Sequence, residues 1–409
     1  MKLPHLKNAD FEPLAFPPPD KSAAKRQPFT RRPNKKAKIL VLFGTRPEVI
    51  KLAPVIQKLK ANRKIFETIV VSSGQHSDLI KPFIDLFKIG INHDLRSMRR
   101  NQKPNDVAAR VLTAFDKILE LEKPDVVLVQ GDTTTALAGA MAAFHRQIAV
   151  GHVEAGLRSG CADSPFPEEM NRRLISQIAR FHFAATKFNR ETLINEGINA
   201  RQIFVTGNPV VDALQSIGKK TNGRGEIGKL LAKTDDLKRI LLTTHRRESF
   251  GATMTENLRI LRDFVQKHRD TALFFPVHPN PAVRQAVAQI FEENSRVFLL
   301  EPLAYTDFAQ IMANSWLIVS DSGGVQEEAP SFGKPLLVLR ENTERPEAIA
   351  AGVAKLVGGS QQRLSELLEE NYQDESWTNS VKQIENPFGD GRAAEKIVKI
   401  LETQFITVN

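Results

Sequence analysis

The stretch WLIVSDSGGVQEEAPSFGKP, from Trp316 to Pro335, contains an apolar strand that leads into Ser-Asp-Ser-Gly-Gly and then into a helical pattern. A helix that begins on glycines after a strand can bind phosphate, because its first N–H groups are unpaired and carry partial positive charge. No P-loop lysine follows; two carboxylates, Glu327 and Glu328, do. Since carboxylates repel phosphate but accept hydrogen bonds from ribose hydroxyls, the stretch predicts a nucleoside diphosphate site with cations supplied from elsewhere.

The same succession of short apolar strand, polar loop and helix repeats on both sides of this stretch. The predicted strands are AKILVLFG, TIVVSSG, VVLVQGD, AVGHVEAG, FHFAAT and IFVTGN before residue 208, and RILLTTH, LFFPVHP, VFLLEP, WLIVSDSGG, PLLVLR and VAKLVGG after it. Strands that alternate with helices predict the α/β class with parallel, doubly wound sheets. Two such series predict two domains, residues 37–207 and 208–385, that face each other across a cleft.

Two other segments interrupt or close this pattern. Residues 215–238 are polar and rich in Gly and Lys, which predicts a hinge or surface insertion. They include GRGEIG, which matches a dinucleotide-binding motif by letter but follows no strand, so we interpret it as a loop. Residues 386–409 predict a final helix that packs back on the first domain.

The net charge of +10 is concentrated in one segment. Residues 1–36 form a basic, proline-rich tail, and the first 38 residues carry +7 of the total. We interpret the tail as a disordered, solubilising extension; the alternative is contact with an acidic partner. The rest of the chain therefore does not predict nucleic-acid binding. No apolar run is long enough to span a membrane, and the single cysteine, Cys161, fits a reducing, cytoplasmic environment.

Polar residues follow most of the predicted strands, at the edge where parallel α/β sheets bind ligands. They are Arg46, Lys51, Asp132, Glu154, Glu168, His245, Arg246, His278 and Ser322 to Gly324. Each also has a structural interpretation: Asp132 as a helix N-cap and Glu168 as an i,i+4 partner of Arg172, while His152 is predicted to lie in the core. No metal-ligand spacing occurs, so no metal site is predicted.

Eight blocks in order resemble the bacterial non-hydrolysing UDP-N-acetylglucosamine 2-epimerases across residues 37–405. They are FGTRPEVIKLAPVI, QGDTTTALA, GHVEAGLRSG, PFPEEMNRR, HRRESFG, PVHPNP, SDSGGVQEEAPSFGKP and RENTERPEAIAAG. The resemblance implies a GT-B fold of two Rossmann-like domains. It also implies a homodimer without a cofactor that converts UDP-GlcNAc reversibly to UDP-ManNAc for polysaccharide synthesis.

The resemblance assigns roles to individual positions. The catalytic residues it implies are Arg46, Lys51, Asp132, Glu154, Glu168 and His245, and the UDP ligands are Arg46, His245, Arg246, Ser322, Gly323, Gly324 and Glu328. Gln75, His76 and His278 correspond to a second, regulatory nucleotide site of some family members, although Asp78 replaces a longer polar side chain there. The implied chemistry is elimination of UDP and its re-addition to 2-acetamidoglucal.

Several other functions stay open from the sequence. A related UDP-2-acetamido sugar is an alternative substrate, and a GT-B glycosyltransferase would bind UDP in the same way. A hydrolysing epimerase would release free ManNAc. Three carboxylates in one cleft and the block GHVEAGLRSG favour the epimerase over the transferase. A non-catalytic nucleotide-sugar sensor and a tail-mediated nucleic-acid binder are the alternatives outside enzymology. The complete set of acid and base residues argues against a pure sensor, and a salt-sensitive DNA shift that is lost on deletion of residues 1–36 would indicate the binder.

Overall fold

The computed structural model describes residues 36–74, 77–99, 102–218, 225–244, 252–291 and 295–406. The basic tail, up to residue 35, lies outside these ranges, as do Gln75, His76, His245 and Arg246.

Two parallel sheets organise the chain. The first has the order β3-β2-β1-β4-β5-β6-β7 and the second the order β10-β9-β8-β11-β12-β13. Their strands are β1 (Ala37–Phe43), β2 (Phe66–Ser72), β3 (His93–Asp94), β4 (Val126–Gln130), β5 (Ala149–Ala155), β6 (Phe181–Ala184), β7 (Ile203–Val205), β8 (Lys238–Thr243), β9 (Thr271–Pro276), β10 (Val297–Leu300), β11 (Leu317–Ser320), β12 (Leu336–Val338) and β13 (Ala354–Leu356). The predicted α/β class with two doubly wound sheets is confirmed. The short strand β3 was not predicted, because two residues carry no readable alternation.

Sixteen α-helices connect and cover the strands within the described ranges. They are α1 (Arg46–Ala61), α2 (Ser77–Phe87), α3 (Pro104–Glu122), α4 (Thr134–His145), α5 (Glu168–Ile178), α6 (Lys187–Asn195), α7 (Pro209–Gly218), α8 (Glu226–Lys233), α9 (Ala252–Lys267), α10 (Pro281–Ile290), α11 (Tyr305–Ala313), α12 (Gly323–Glu328), α13 (Pro346–Ala350), α14 (Gln361–Gln373), α15 (Ser376–Ser380) and α16 (Ala393–Ile406). None of them combines the length and hydropathy that crossing a bilayer requires.

In both sheets, the strand order reverses direction between two adjacent strands. In the first sheet β1 pairs with β4, with Ile39 opposite Val126, and in the second β8 pairs with β11, with Ile240 opposite Leu317. Helices diverge to opposite faces at such a point and leave a crevice beyond the carboxyl ends of the strands. The fold therefore places the loops after β1, β4, β8 and β11 where a ligand binds.

Helix α7 joins the cores of the two domains. It packs against α1 of the first domain and against α11 and α12 of the second. Its buried residues Val210, Ala213 and Ile217 belong to an apolar cluster that contains residues of both sheets. The arrangement is the GT-B fold that the resemblance implied.

The final helix returns to the first domain. Helix α16 packs against α1 and α7, and Asp212 of α7 accepts hydrogen bonds from the N–H groups of Ala393 and Ala394 at its start. The domain limits at residues 207 and 385 stay a prediction. The loop interpretation of GRGEIG was wrong from Glu226 onward, because α8 begins there and buries Ile227 and Leu231. The hinge or insertion predicted for residues 215–238 also includes the end of α7, which extends to Gly218.

Candidate functional site

Four buried charged side chains, two from each domain, form one ion-pair cluster between the sheets. Lys51 Nζ lies 2.5 Å from Glu154 Oε2 and 2.9 Å from Glu327 Oε2. Arg345 donates from Nε and Nη2 to Glu327 Oε1, each at 2.7 Å, and its Nη2 lies 3.8 Å from Glu154 Oε1. Each side chain is at most 11% exposed. Arg345 Nη1 also lies 3.0 Å from Glu344 Oε2, so opposite charges face one another throughout this nearly buried cluster.

The protonation behaviour of the cluster follows from this geometry. Burial alone would lower the pKa of Lys51, but Glu154 and Glu327 outweigh it and raise that pKa. Burial would likewise raise the pKa of Glu327, but the charges of Arg345 and Lys51 outweigh burial and lower that pKa. Burial raises the pKa of Glu154 to about 7, with Lys51 opposing and Glu327 adding to the rise. Glu154 is therefore the member of the cluster that gains and loses a proton near neutral pH.

Glu154 lies within β5, not after it as the sequence pattern indicated. Its φ of 66° is left-handed, and the pairing of β5 with β6 shifts register between Val153 and Ala155. Gln130, at the end of β4, donates a hydrogen bond from Nε2 to Glu154 Oε2. A left-handed backbone costs a non-glycine residue roughly 1–3 kcal/mol and is typical of functional positions. The bulge turns the carboxylate toward Lys51.

The start of α1 is fixed by a buried carboxylate that the sequence analysis missed. Glu48 accepts hydrogen bonds from the N–H groups of Gly44 at 2.9 Å and Thr45 at 2.7 Å, and from Thr133 Oγ1 at 2.8 Å. Burial raises its pKa. These bonds connect the loop after β1 to the loop after β4. The capping-box spacing of Thr45 and Glu48 in the sequence is the signal that could have identified it.

Asp132 lies in the loop between β4 and α4, and its neighbours decide against the capping interpretation. Thr133 is the N-cap of α4 and accepts from the N–H of Ala136, so the alternative interpretation of Asp132 as the N-cap does not hold. Arg172 of α5 donates from Nη2 to the Asp132 carboxylate, and Asn171 donates to its backbone oxygen at 2.9 Å. Helix α5 thus holds Asp132 at the carboxyl edge of the first sheet.

Glu168 is the first residue of α5 and is half-buried. Its neighbour Glu169 is fully buried, accepting from the Ser159 N–H and from Arg173 Nε, both at 2.9 Å. The two neighbouring glutamates therefore have different environments. Glu169 holds the loop before α5 through its hydrogen bonds, and Glu168 is the first residue of the helix.

The glycines of the opening stretch form the start of α12, as predicted. Ser322 is the N-cap, and its N–H donates to Ser320 Oγ at 3.0 Å. A Cβ on Gly323 would lie 2.7 Å from Arg345 Nη1, so a larger residue here would displace the guanidinium from its position. Arg345 therefore lies directly against the helix start, and it supplies a cation that the sequence analysis had sought at Arg46 and Arg246.

Glu328, at the last position of α12, is buried beside a tyrosine. Tyr305 donates its hydroxyl to Glu328 Oε1 at 3.0 Å. Burial raises the pKa of Glu328 to about 7 against the opposing effect of this hydrogen bond. The predicted ribose ligand is thus a second carboxyl group that titrates near neutral pH.

The four histidines named from the sequence have different environments or lie outside the described residues. His245 lies outside the described residues, together with Arg246, Gln75 and His76. His278 follows β9, and its Nδ1 accepts from the N–H of Asn280 at 3.2 Å. His152 is fully buried, as predicted; its Nε2 lies 2.7 Å from the Gly131 oxygen, and burial lowers its pKa to about 3. It therefore stays neutral.

The structure adds Glu327, Arg345 and Tyr305 to the predicted set. Glu327 and Arg345 stand in quoted motifs, but their spacing does not indicate that they meet Lys51, which comes from the other domain. Within the described ranges, no group of three or more His, Cys, Asp or Glu side chains is arranged to hold a metal ion.

Comparisons with known proteins identify the family of the chain. The profile of the UDP-N-acetylglucosamine 2-epimerase family matches residues 57–402. The UDP-N-acetylglucosamine 2-epimerase of Escherichia coli K12 is 43% identical over 376 residues, covering 91% of this chain and 100% of the relative. The Neisseria meningitidis UDP-GlcNAc 2-epimerase structure, bound to UDP-GlcNAc, has a TM-score of 0.83 and 40% identity, covering 90% and 100%. The Methanocaldococcus jannaschii enzyme in complex with UDP-GlcNAc and UDP has a TM-score of 0.76 and 33% identity, covering 90% and 99%.

Proposed function

The chain belongs to the UDP-N-acetylglucosamine 2-epimerase family, and from that premise we propose that it interconverts UDP-GlcNAc and UDP-ManNAc by inverting carbon 2 of the sugar. The observation that carries the proposal is the buried cluster of Lys51, Glu154, Glu327 and Arg345, which joins the carboxyl edges of both sheets. A cation pair for a diphosphate and a carboxyl group titrating near 7 meet there. The reaction needs both.

The second domain supplies the nucleotide site of the proposal. The backbone N–H groups at Ser322, Gly323 and Gly324 would donate to the diphosphate, with the Arg345 guanidinium beside them. Glu328 would accept from the ribose hydroxyls. Arg46, His245 and Arg246 complete the proposed UDP ligands, the last two outside the described residues. In this proposal, the two carboxylates next to the phosphate site have separate roles: Glu327 orients Arg345, and Glu328 binds the ribose.

The first domain supplies the acid and base groups. The carbon 2 proton is not acidic, so the carbon 1–oxygen bond to UDP breaks as that proton leaves, and the electrons of the carbon–hydrogen bond form the double bond of 2-acetamidoglucal. Asp132, Glu154 and Glu168 are the proposed proton acceptors and donors. A carboxyl group with a pKa of about 7, as in Glu154, exchanges protons efficiently at neutral pH. Re-addition of UDP with protonation on the opposite face completes the inversion.

The cations favour departure of UDP. Negative charge develops on the diphosphate as the bond breaks, and fixed cations in a water-poor site stabilise it strongly. Lys51, with Arg345 beside it, lies between the diphosphate site at α12 and the Glu154 carboxylate. We propose that UDP adds its negative charge beside Glu327 as a further counter-charge of these cations when the substrate binds. Contact between the domains would retain the glycal and keep water from it.

Proton NMR of the protein with UDP-GlcNAc in deuterated buffer tests this function. We expect UDP-ManNAc to appear, with deuterium at carbon 2 of both sugars, because the base exchanges its proton with solvent. Free ManNAc would indicate the hydrolysing reaction instead. An unchanged spectrum with UDP-GlcNAc bound would contradict the proposal and favour a transferase or a sensor.

The proposal includes a homodimer formed through the helices of the first domain. Helices α3, α4 and α5 pack side by side and leave large apolar side chains exposed: Leu121 by 68%, Phe144 by 48%, Met170 by 39% and Leu174 by 46%. Apolar side chains clustered on neighbouring helices are typical of an interface. We also propose a cytoplasmic location, which the single cysteine fits.

Phe144→Glu is expected to convert the dimer to a monomer, because a charge in an apolar interface has no partner. Light scattering after size-exclusion chromatography measures the mass. Leu79→Glu, at a side chain 63% exposed on α2 on the other face of the sheet, is the matched control and is expected to leave the dimer intact. A dimeric Phe144→Glu protein would place the interface elsewhere.

A further inference from the structure

Tyr305 connects the two domains at the proposed ribose site. It begins α11 of the second domain and donates its hydroxyl to Glu328 Oε1 at 3.0 Å. Its ring lies against Phe83 of α2 in the first domain, with ring centroids 5.7 Å apart and planes inclined by 49°. The Phe83 ring in turn lies 6.0 Å from Arg46 Cζ. A continuous set of contacts thus leads from the first domain to Glu328.

We propose that Tyr305 is a positioning residue that aims the Glu328 carboxylate at the ribose hydroxyls of UDP and ties it to the first domain through Phe83. The inference rests on the proposed function in one respect, which is that Glu328 is the ribose ligand. Tyr305 binds one carboxylate oxygen, which restricts rotation of the group and leaves the other oxygen to accept from the ribose. A preorganised acceptor binds its donor without losing further side-chain freedom.

The charge on Glu328 depends on the same hydrogen bond. Around this carboxyl group lie Tyr305 of α11, Glu327 of its own helix, and Lys51 and Arg46 of α1. Burial raises its pKa to about 7, Tyr305 opposes that rise most strongly, and Glu327 adds to it. Tyr305 itself remains a neutral donor, because burial and Glu328 raise its pKa well above the ordinary value. Removing the hydroxyl therefore raises the pKa of Glu328 further and leaves it protonated at neutral pH.

The test is the pH dependence of UDP binding by Tyr305→Phe, measured by calorimetry between pH 6 and 9. The ring and its contact with Phe83 remain in this variant. We expect UDP to bind roughly tenfold more weakly at pH 7, the effect of losing one hydrogen bond to a charged group. The difference from the wild type should narrow toward pH 9, where Glu328 ionises in both proteins. Ionisation of the UDP phosphates affects both proteins equally, because the ligand is the same, and so does not contribute to the difference between them.

The chain offers a matched control in its other tyrosine. Tyr372 lies on α14, away from the site, and donates its hydroxyl to the half-exposed Asp270 at 2.6 Å. Tyr372→Phe removes the same atom from a similar hydrogen bond and is expected to leave UDP affinity unchanged at every pH. Replacing UDP by 2′-deoxy-UDP is expected to weaken binding to the wild type more than to Tyr305→Phe, since the variant no longer aims the ribose acceptor.

A second variant tests the connection to the first domain. Phe83→Leu keeps an apolar side chain of similar volume in the core but removes the ring that faces Tyr305. We expect UDP affinity to fall about threefold with the Tyr305 hydroxyl still present, the usual effect of losing one aromatic pair. Thermal denaturation should show that both variants are folded. Unchanged UDP affinity in Phe83→Leu would show that the contact between Phe83 and Tyr305 does not contribute to UDP binding.

Equal UDP affinity and equal pH dependence in Tyr305→Phe and the wild type would overturn the inference. That result leaves the proposed reaction intact if the wild type still forms UDP-ManNAc. Conversely, a wild type that binds UDP in the expected pH-dependent way but does not form UDP-ManNAc would refute the proposed reaction alone. A wild type that binds no UDP would overturn both.

Discussion

Glu154→Gln is expected to lower the rate of UDP-ManNAc formation at least about a hundredfold while UDP binds within about threefold of the wild type, as loss of a general acid or base predicts. The amide keeps the shape and can still accept from Lys51 and Gln130, which contact Glu154 Oε2. It cannot take up or release the carbon 2 proton. Asp132→Asn and Glu168→Gln are expected to lower the rate to a similar extent.

The pH profile distinguishes a proton-transfer role from a structural one. Burial raises the pKa of Glu154 to about 7. If Glu154 acts as base, kcat/KM in the wild type falls as the pH drops through about 7, because the carboxylate becomes protonated. If it acts as acid, kcat/KM falls as the pH rises through the same value. In Glu154→Gln the residual kcat/KM is expected to show no such fall near pH 7.

Glu122→Gln is the matched control for Glu154. Glu122 is also a partly buried glutamate paired to a lysine, Lys38 at 2.9 Å, but Lys38 lies at the amino end of β1, opposite the site. Its turnover is expected to stay within about twofold of the wild type, as usual for a change remote from the reacting groups. Normal turnover in Glu154→Gln would assign the proton transfer to other groups.

Lys51→Met is expected to destabilise the protein by about 3–5 kcal/mol, because removing one partner leaves buried charge uncompensated. Lys51 is the nearest cation to Glu154 and contacts Glu327 as well, and both carboxylates are almost fully buried. Arg345, which also pairs with Glu344 at 3.0 Å, would then be the cation left beside both carboxylates. The variant should also lose most of its epimerase activity, since Lys51 lies between the proposed base and the diphosphate site.

The destabilisation should depend on pH in a defined direction. The pKa of Glu154 in the folded protein lies above its ordinary value, so the folded state binds more protons than the unfolded chain between about pH 4.5 and 7. Removing Lys51 raises that pKa further. The free energy of unfolding of Lys51→Met is therefore expected to rise as the pH falls from 8 to 6, when Glu154 takes up a proton. Denaturant titration at each pH measures it.

Two comparisons isolate the cause. Lys38→Met removes the lysine of the Lys38–Glu122 pair and is expected to cost at most about 1 kcal/mol, because that pair is closer to solvent. Lys51→Met combined with Glu154→Gln should recover about 1–3 kcal/mol of the loss, the desolvation of one unpaired carboxylate. Equal stability of the single and double variants would show that Lys51 does not neutralise Glu154.

Much of the fold follows from local features of the sequence. Strands such as Ala37–Phe43 are continuous apolar runs because parallel sheets are covered on both faces. Helix α12 begins at Gly323 because a strand ends just before it and glycine allows the Arg345 guanidinium to approach. Asp132 and Glu168 could be predicted as site residues for the same reason, because their positions in the sequence place them where strands end and helices begin.

What only the tertiary structure decided is which charges meet. Lys51 and Glu154 are 103 positions apart, and Glu327 and Arg345 reach them from the other domain. The left-handed φ of Glu154 and the contact between Phe83 and Tyr305 also carry no local signal. The physical reason is range: hydrophobic periodicity and capping act between neighbours in sequence. The pKa of a buried carboxyl group depends instead on every charge and dipole around it, and only the folded chain fixes where those lie.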